Sequence, residues 1–167
     1  MEIVYTATYR GFESLSLRHF IFLNFIMWIQ ECSKFYPGLD PKAVWQVWTD
    51  IDHWAAWHDD LEYCKLADGF KVGGHFTLKP KKGPAAKVVL TEIDAPNQFT
   101  DCAKFLGAKM YNTHTIQPQD SGVLLSNKLY VTGPLRWLWI KLVAQSVANG
   151  IPGELDALVK LAQEKTA

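Results

Sequence analysis

A chain of 167 residues with 49% hydrophobic side chains has the size of one ordinary domain, which removes roughly 70% of its unfolded surface from water and needs neither metal nor disulfide to hold its core. Seventeen Lys and Arg balance seventeen Asp and Glu, and zero net charge argues against a nucleic-acid binder that works by releasing many counterions, while leaving room for a local basic patch. Three widely spaced cysteines, Cys32, Cys64 and Cys102, form neither a disulfide framework nor a CxxC metal knuckle and fit a reducing, cytoplasmic compartment.

Taken in chain order, the first eighteen residues hold a strand-like stretch, Ile3 to Tyr9, and read equally as an extension ahead of a single domain expected over residues 19–165. The apolar run from Phe20 to Ile29 (FIFLNFIMWI) is about ten residues long, too short for a bilayer span, and no basic stretch with a small-residue cleavage site frames it. Buried structure is expected there, without stable membrane insertion. A first strand is expected over Phe25 to Lys34, rich in Phe, Ile and Trp, with a turn at Pro37-Gly38. Asp40 then offers a helix cap and Pro41 sits where its missing N–H costs nothing, with Val44, Trp45, Val47 and Trp48 at helical spacing. Asp50 or Asp52 opens a second brief helix that carries Trp54 and Trp57.

From Leu61 the texture becomes that of an antiparallel meander. Strands are expected at Leu61–Ala67, Gly73–Lys79, Ala85–Ile93, Asn97–Cys102, Lys109–Gln117 and Val123–Val131. Their separators, Asp68-Gly69, Pro80–Pro84, Asp94–Pro96, Phe105–Ala108 and Gln119–Gly122, hold Gly, Pro and Asp that supply unusual dihedrals or interrupt ladder pairing. After Gly133-Pro134 an apolar helical stripe runs through Leu138, Leu142 and Val147 to Leu155, Leu158 and Leu161, with a kink or break expected at Asn149–Gly153.

Residues 44–60 (VWQVWTDIDHWAAWHDD) hold four of the seven tryptophans. Trp45 and Trp48 read as core anchors, Trp54 and Trp57 as the mouth of an apolar pocket. His53 and His58 are five apart, poor spacing for zinc on one helix face, so no metal is expected. His75 and His114 lie inside expected strands; each fits a solvent-facing or cross-strand position, or a general acid or base oriented by Asp101, Glu62 or Tyr111. GxSxG, GxGxxG, GKS/T and HExxH are absent, which removes the usual hydrolase, nucleotide and zinc-protease signatures. Lys79, Lys81, Lys82 and Lys87 form the basic cluster, read as a solvated turn with some capacity for an acidic partner. Trp137 and Trp139, two apart on the last helix, face different ways, one toward the sheet and one toward a cavity rim or an oligomer contact.

The segment Asp40-Pro41-Lys42-Ala43-Val44-Trp45-Gln46-Val47-Trp48-Thr49-Asp50-Ile51, with Trp54 and Trp57, resembles the opening motif of the START/Bet v 1-like (SRPBCC) superfamily, in particular its polyketide cyclase/dehydrase type. Gly73, Thr91-Glu92-Ile93 through Pro96 and Phe99, Gly122 and Gly133-Pro134 add to a likeness that covers residues 25–165. The chain departs from it at the start, where Phe35–Leu39 is inserted before the Asp-Pro helix. The resemblance implies an α+β helix-grip fold: a curved seven-stranded antiparallel sheet around a long C-terminal helix, with two short helices closing a cavity. It implies a ligand wall of Phe76, Leu78, Val89, Phe99, Met110 or Tyr111, and Leu129, with Trp54, Trp57, Trp137 and Val143 as lid or helix contributors. His114, on one face with Met110 and Asn112, is the first candidate for general acid or base, then His75, with Tyr111 or Asp101 assisting.

The fold leaves function open. The leading expectation is a cofactor-free binder or carrier of a small hydrophobic molecule, lipid, aromatic or polyketide-like, working as a monomer or homodimer without nucleic acid. The alternatives are a cyclase or dehydratase that moves a proton through an interior histidine, and a co-chaperone-like interaction module.

Overall fold

In the computed structural model residues 28–166 are described; the expected extension over residues 1–18 and most of the apolar run after it lie outside them. Strand β1 (Trp28–Pro37) is followed by helix α1 (Pro41–Thr49) and a 3-10 helix (Ile51–Ala56). Strands β2 (Leu61–Leu66), β3 (His75–Pro80), β4 (Ala86–Asp94), β5 (Gln98–Phe105), β6 (Ala108–Gln119) and β7 (Gly122–Thr132) then form the meander. The C-terminal helix comes in three parts: α2 (Arg136–Trp139), a π-helical turn (Ile140–Ala144) and α3 (Gln145–Glu164).

All seven strands join one antiparallel sheet in the order β1-β7-β6-β5-β4-β3-β2, so the first strand closes back beside the last. This is the helix-grip architecture, a sheet wrapped around a long C-terminal helix. The alternation of each strand sorts residues onto two faces. On β7, Val123, Leu125, Asn127, Leu129 and Val131 are buried while the residues between them are more exposed. Register carries this face across the sheet in rows: Cys32, Asn127, His114, Phe99 and Ile93 lie side by side, and Gln30, Leu129, Asn112, Asp101 and Leu90 form the next row.

The helices cover this inner face. Asp40 Oδ1 accepts the Lys42 N–H at 3.0 Å and Pro41 opens α1, which turns Val44, Val47 and Trp48 into the core at 3% exposure or less. The Trp54 indole donates to the Trp48 carbonyl at 2.9 Å, binding the 3-10 helix to α1. Helix α3 packs against α1, β1 and β7 through Ile151, Leu155, Leu158 and Ala162, all within 1% of full burial, and each large apolar side chain so buried contributes about 1.5–3 kcal/mol. Lys34 and the Tyr36 hydroxyl both reach Asp156, the latter at 2.8 Å, tying α3 to the edge strand. Burial alone would raise the Asp156 carboxyl, but these two donors outweigh it and hold the group below its ordinary value.

Three expectations are corrected. The first strand runs on to Pro37, opposite Gly122, three residues past the expected end at Lys34; Pro is accommodated because β1 is an edge strand. Strand β5 continues past Cys102 to Phe105, leaving a tight turn at Leu106-Gly107, where Gly107 takes φ +65° and a side chain would meet Leu135. The C-terminal helix does not break at Asn149–Gly153: α3 passes through with Pro152 inside it, and the irregularity is the π-helical turn one step earlier.

Candidate functional site

The centre of the inner face is apolar except for one island. Asp101 on β5, Asn112 and His114 on β6, and Asn127 on β7 stand in adjacent rows. His114 and Asn127 are 4% and 2% exposed, Asp101 8%. His114 Nε2 lies 3.1 Å from Asp101 Oδ2, and Asn127 Nδ2 lies 3.4 Å from His114 Nδ1. A ring carrying its proton on Nε2 satisfies both contacts, donating to Asp101 and accepting from Asn127. The ring is stacked on Phe99 with centroids 4.3 Å apart and met edge-on by Trp48 at 5.0 Å. Both nitrogens of the imidazole are therefore engaged within the protein, and the ring is packed among Phe99, Trp48 and Trp54.

Two acceptors in the island are not. Asn112 Oδ1 and Asn127 Oδ1 are buried with no hydrogen-bond partner, a state that costs about 1–3 kcal/mol for each group. At the β1 edge, where Cys32 pairs with Asn127 in register, a cavity of about 260 Å³ opens between Gln30, Glu31 and Cys32 on one side and Ala148, Asn149, Ile151 and Pro152 of α3 on the other, lined by neither acceptor. It lies just below the common size of small-molecule sites, roughly 300–1,000 Å³. Cys64, on the same face, has its thiol pushed up to about 12 by burial and then by the charges of Asp101 and Asp52.

Of the residues anticipated from sequence, Phe76, Phe99, Leu129 and Trp54 are buried in the core, while Leu78, Met110 and Trp57 are partly buried against it; Val143 is half-buried on the π-helical turn. Trp54 packs inward on Phe76 at 5.4 Å rather than standing at a mouth. Register corrects two others: Val89 and Tyr111 lie with His75, Cys102 and Tyr130 in a row on the outer face. Tyr111 stacks on Tyr130 at 4.8 Å there and cannot assist His114. His75 binds Asp68 at 2.5 Å near the surface, and Glu62 pairs with Lys79. Trp137 is 60% exposed, whereas Trp139 stacks on Phe105 at 4.4 Å. His53 pairs with Asp50 and His58 with Glu154. Asn127 was not among the candidates; its signal is a single polar residue in the alternating stripe Val123, Leu125, Asn127, Leu129, Val131.

Among curated proteins none matches this sequence. Solved structures share the fold at low identity. The aromatase/cyclase di-domain protein StfQ from the steffimycin biosynthetic pathway aligns with a TM-score of 0.71 at 12% identity, over 89% of this chain and 55% of that one. A hypothetical protein from Helicobacter pylori gives 0.68 at 15% identity, over 93% and 99%. Norcoclaurine synthase from Thalictrum flavum, in complex with dopamine and hydroxybenzaldehyde, gives 0.63 at 11%, over 95% and 98%. At family level residues 37–163 match polyketide cyclase / dehydrase and lipid transport, a span from the end of β1 to the end of α3 that takes in the whole meander and the polar island. The chain belongs to the polyketide cyclase/dehydrase and lipid transport family.

Proposed function

We propose that this protein binds a small, largely apolar molecule that carries at least one hydroxyl or amine, holding the apolar part between sheet and C-terminal helix and the donor at the polar island. Fold and family are those of cavity-forming helix-grip proteins suited to small hydrophobic ligands. The observation that carries the finer reading is the pair of buried, unpartnered acceptors, Asn112 Oδ1 and Asn127 Oδ1. An amide oxygen out of water gains most from a donor that arrives with a ligand. The binding unit on this reading is one domain over residues 19–165, acting in the cytoplasm as a monomer or homodimer without nucleic acid. Three unpaired cysteines support the reducing compartment, and among the described residues no helix is long and apolar enough to cross a membrane.

Naphthol and methoxynaphthalene, titrated against the full chain by fluorescence, test the proposal. They differ in one donor hydrogen. Naphthol is expected to bind roughly tenfold more tightly, one hydrogen bond to a buried acceptor. Equal affinities, or binding of neither, overturn the reading.

A second reading, proton transfer by His114 with Asp101 behind it, is favoured by the 3.1 Å contact between them. It requires Nδ1 to exchange the long contact to Asn127 for a substrate atom. On this reading His114→Gln retains binding and loses turnover; on the first, the same substitution leaves the fate of the bound molecule unchanged.

A further inference from the structure

Zero net charge conceals a concentration of lysines at one end of the sheet. One end of the sheet mixes charges, with Asp40 ahead of α1, Asp68 in the β2–β3 loop, Asp94 at the β4–β5 turn and Asp120 at the β6–β7 turn interspersed with Lys42 on α1 and Lys71 in the β2–β3 loop. The other carries Lys81 and Lys82 in the β3–β4 loop, Lys87 after it, Lys104 and Lys109 on either side of the β5–β6 turn, and Lys141 on the C-terminal helix. All six lysines are exposed, and none of them forms a salt bridge among the described residues. The acids of this end, Asp59, Asp60 and Glu62, sit at its β2 margin, where Glu62 is already held by Lys79 at 2.9 Å.

Lys104 and Lys109 are directly opposite each other across β5 and β6, an arrangement that like charges disfavour. With Tyr111, Thr132 and Gly133 they line an open groove of about 460 Å³. Beside it the chain exposes apolar side chains: Leu106 at the turn is 80% exposed, Trp137 60% and Leu142 62%. The two elements form one platform, since the Trp139 indole donates to the Leu106 carbonyl at 2.9 Å and the Leu135 N–H to the Gly107 carbonyl at 3.0 Å. Lys141 lies one helical turn beyond Trp137.

We propose that this end docks on a membrane bearing anionic phospholipid, with Leu106 and Trp137 entering the interface and a phosphate-bearing headgroup lying between Lys104 and Lys109. Exposed Leu and Trp ringed by lysines is the composition that binds such a surface. Residues 1–27 do not supply the missing charge, because Glu2 and Glu13 are matched by Arg10 and Arg18. The proposal goes beyond the ligand reading and does not depend on it.

Cosedimentation of the full chain with vesicles of phosphatidylcholine alone, and of phosphatidylcholine and phosphatidylserine in equal parts, tests it. Binding is expected to the mixed vesicles only. Lys104→Gln with Lys109→Gln is expected to weaken it about thirtyfold, from the usual contribution of a lysine near an anionic surface. Leu106→Ser with Trp137→Ser weakens it as well, and Lys71→Gln at the opposite end leaves it unchanged. These positions are exposed, and an unaltered thermal melt confirms that each variant folds. Failure to pellet with either vesicle, or an equal loss in Lys71→Gln, overturns the proposal. Pelleting that depends on the lysines but survives both serine substitutions also overturns it, because Leu106 and Trp137 then do not enter the interface.

Discussion

Replacing His114 with leucine keeps an apolar side chain of similar reach against Phe99 and Trp48 but strips Asp101 of its hydrogen-bond partner. The side chains of this pair are 5% and 11% exposed, so solvent does little to compensate, and breaking one side of a buried pair costs about 3–5 kcal/mol. In a chain of this size that lowers Tm by roughly 6–20 °C. Asp101→Leu alone costs less, because the imidazole it abandons keeps its contact to Asn127. The diagnostic variant is the double one. With both partners apolar no charge is stranded, and His114→Leu/Asp101→Leu should recover at least about 2 kcal/mol of the summed single losses. Urea unfolding followed by tryptophan fluorescence measures this directly, since Trp48 and Trp54 lie against the His114 ring at 5.0 and 6.2 Å. Losses that simply add would refute the claim that Asp101 and His114 form one coupled unit.

Asn112→Leu removes an acceptor that the fold leaves unpaired, so urea stability should rise by about 1 kcal/mol while naphthol loses its advantage over methoxynaphthalene; a stability loss above 1 kcal/mol would mean that the oxygen is not an orphan. The lowered Asp156 carboxyl contributes stability that is present above its unfolded value near 3.8 and is lost as pH falls through the lower folded value. Asp156→Asn should therefore be less stable than the parent at neutral pH, with the gap closing in acid; a gap constant with pH would contradict this. Burial puts the Cys64 thiol at about 12 and raises Cys32 and Cys102 as well, so Ellman's reagent at mildly alkaline pH should react slowly with the native protein and rapidly in urea. A fast native reaction would show the thiols to be accessible.

Much of the architecture was legible because it is local. Asp40-Pro41 names a helix start through its own chemistry, and each Gly, Pro or Asp cluster marks a turn that the ladder respects. The polar island was half legible: His114 stands out as a polar residue in an apolar strand, and Asn127 shows the same signal one strand later. What could not be read is which face each strand presents. Placing Val89 and Tyr111 on the outer face depends on pairing partners distant in sequence, and a shift of one residue reverses the answer. The π-helical turn at Ile140–Ala144 has no Pro or Gly to announce it, while Pro152, which looks like a breaker, is carried by a helix whose apolar stripe is already docked. The lysine cluster was hidden for a similar reason, since Lys81, Lys104 and Lys141 meet at one end only after the sheet is assembled.

The central claim is that the inner face holds a small apolar molecule by a donor group at the polar island. Native mass spectrometry of the purified full chain, followed by denaturing extraction and identification of what is released, tests it most directly. The account predicts a stoichiometric adduct with an apolar skeleton and a hydroxyl or amine, absent from the Asn112→Leu/Asn127→Leu variant. A wild-type protein that carries no adduct and takes up neither naphthol nor any other apolar fluorophore would contradict it.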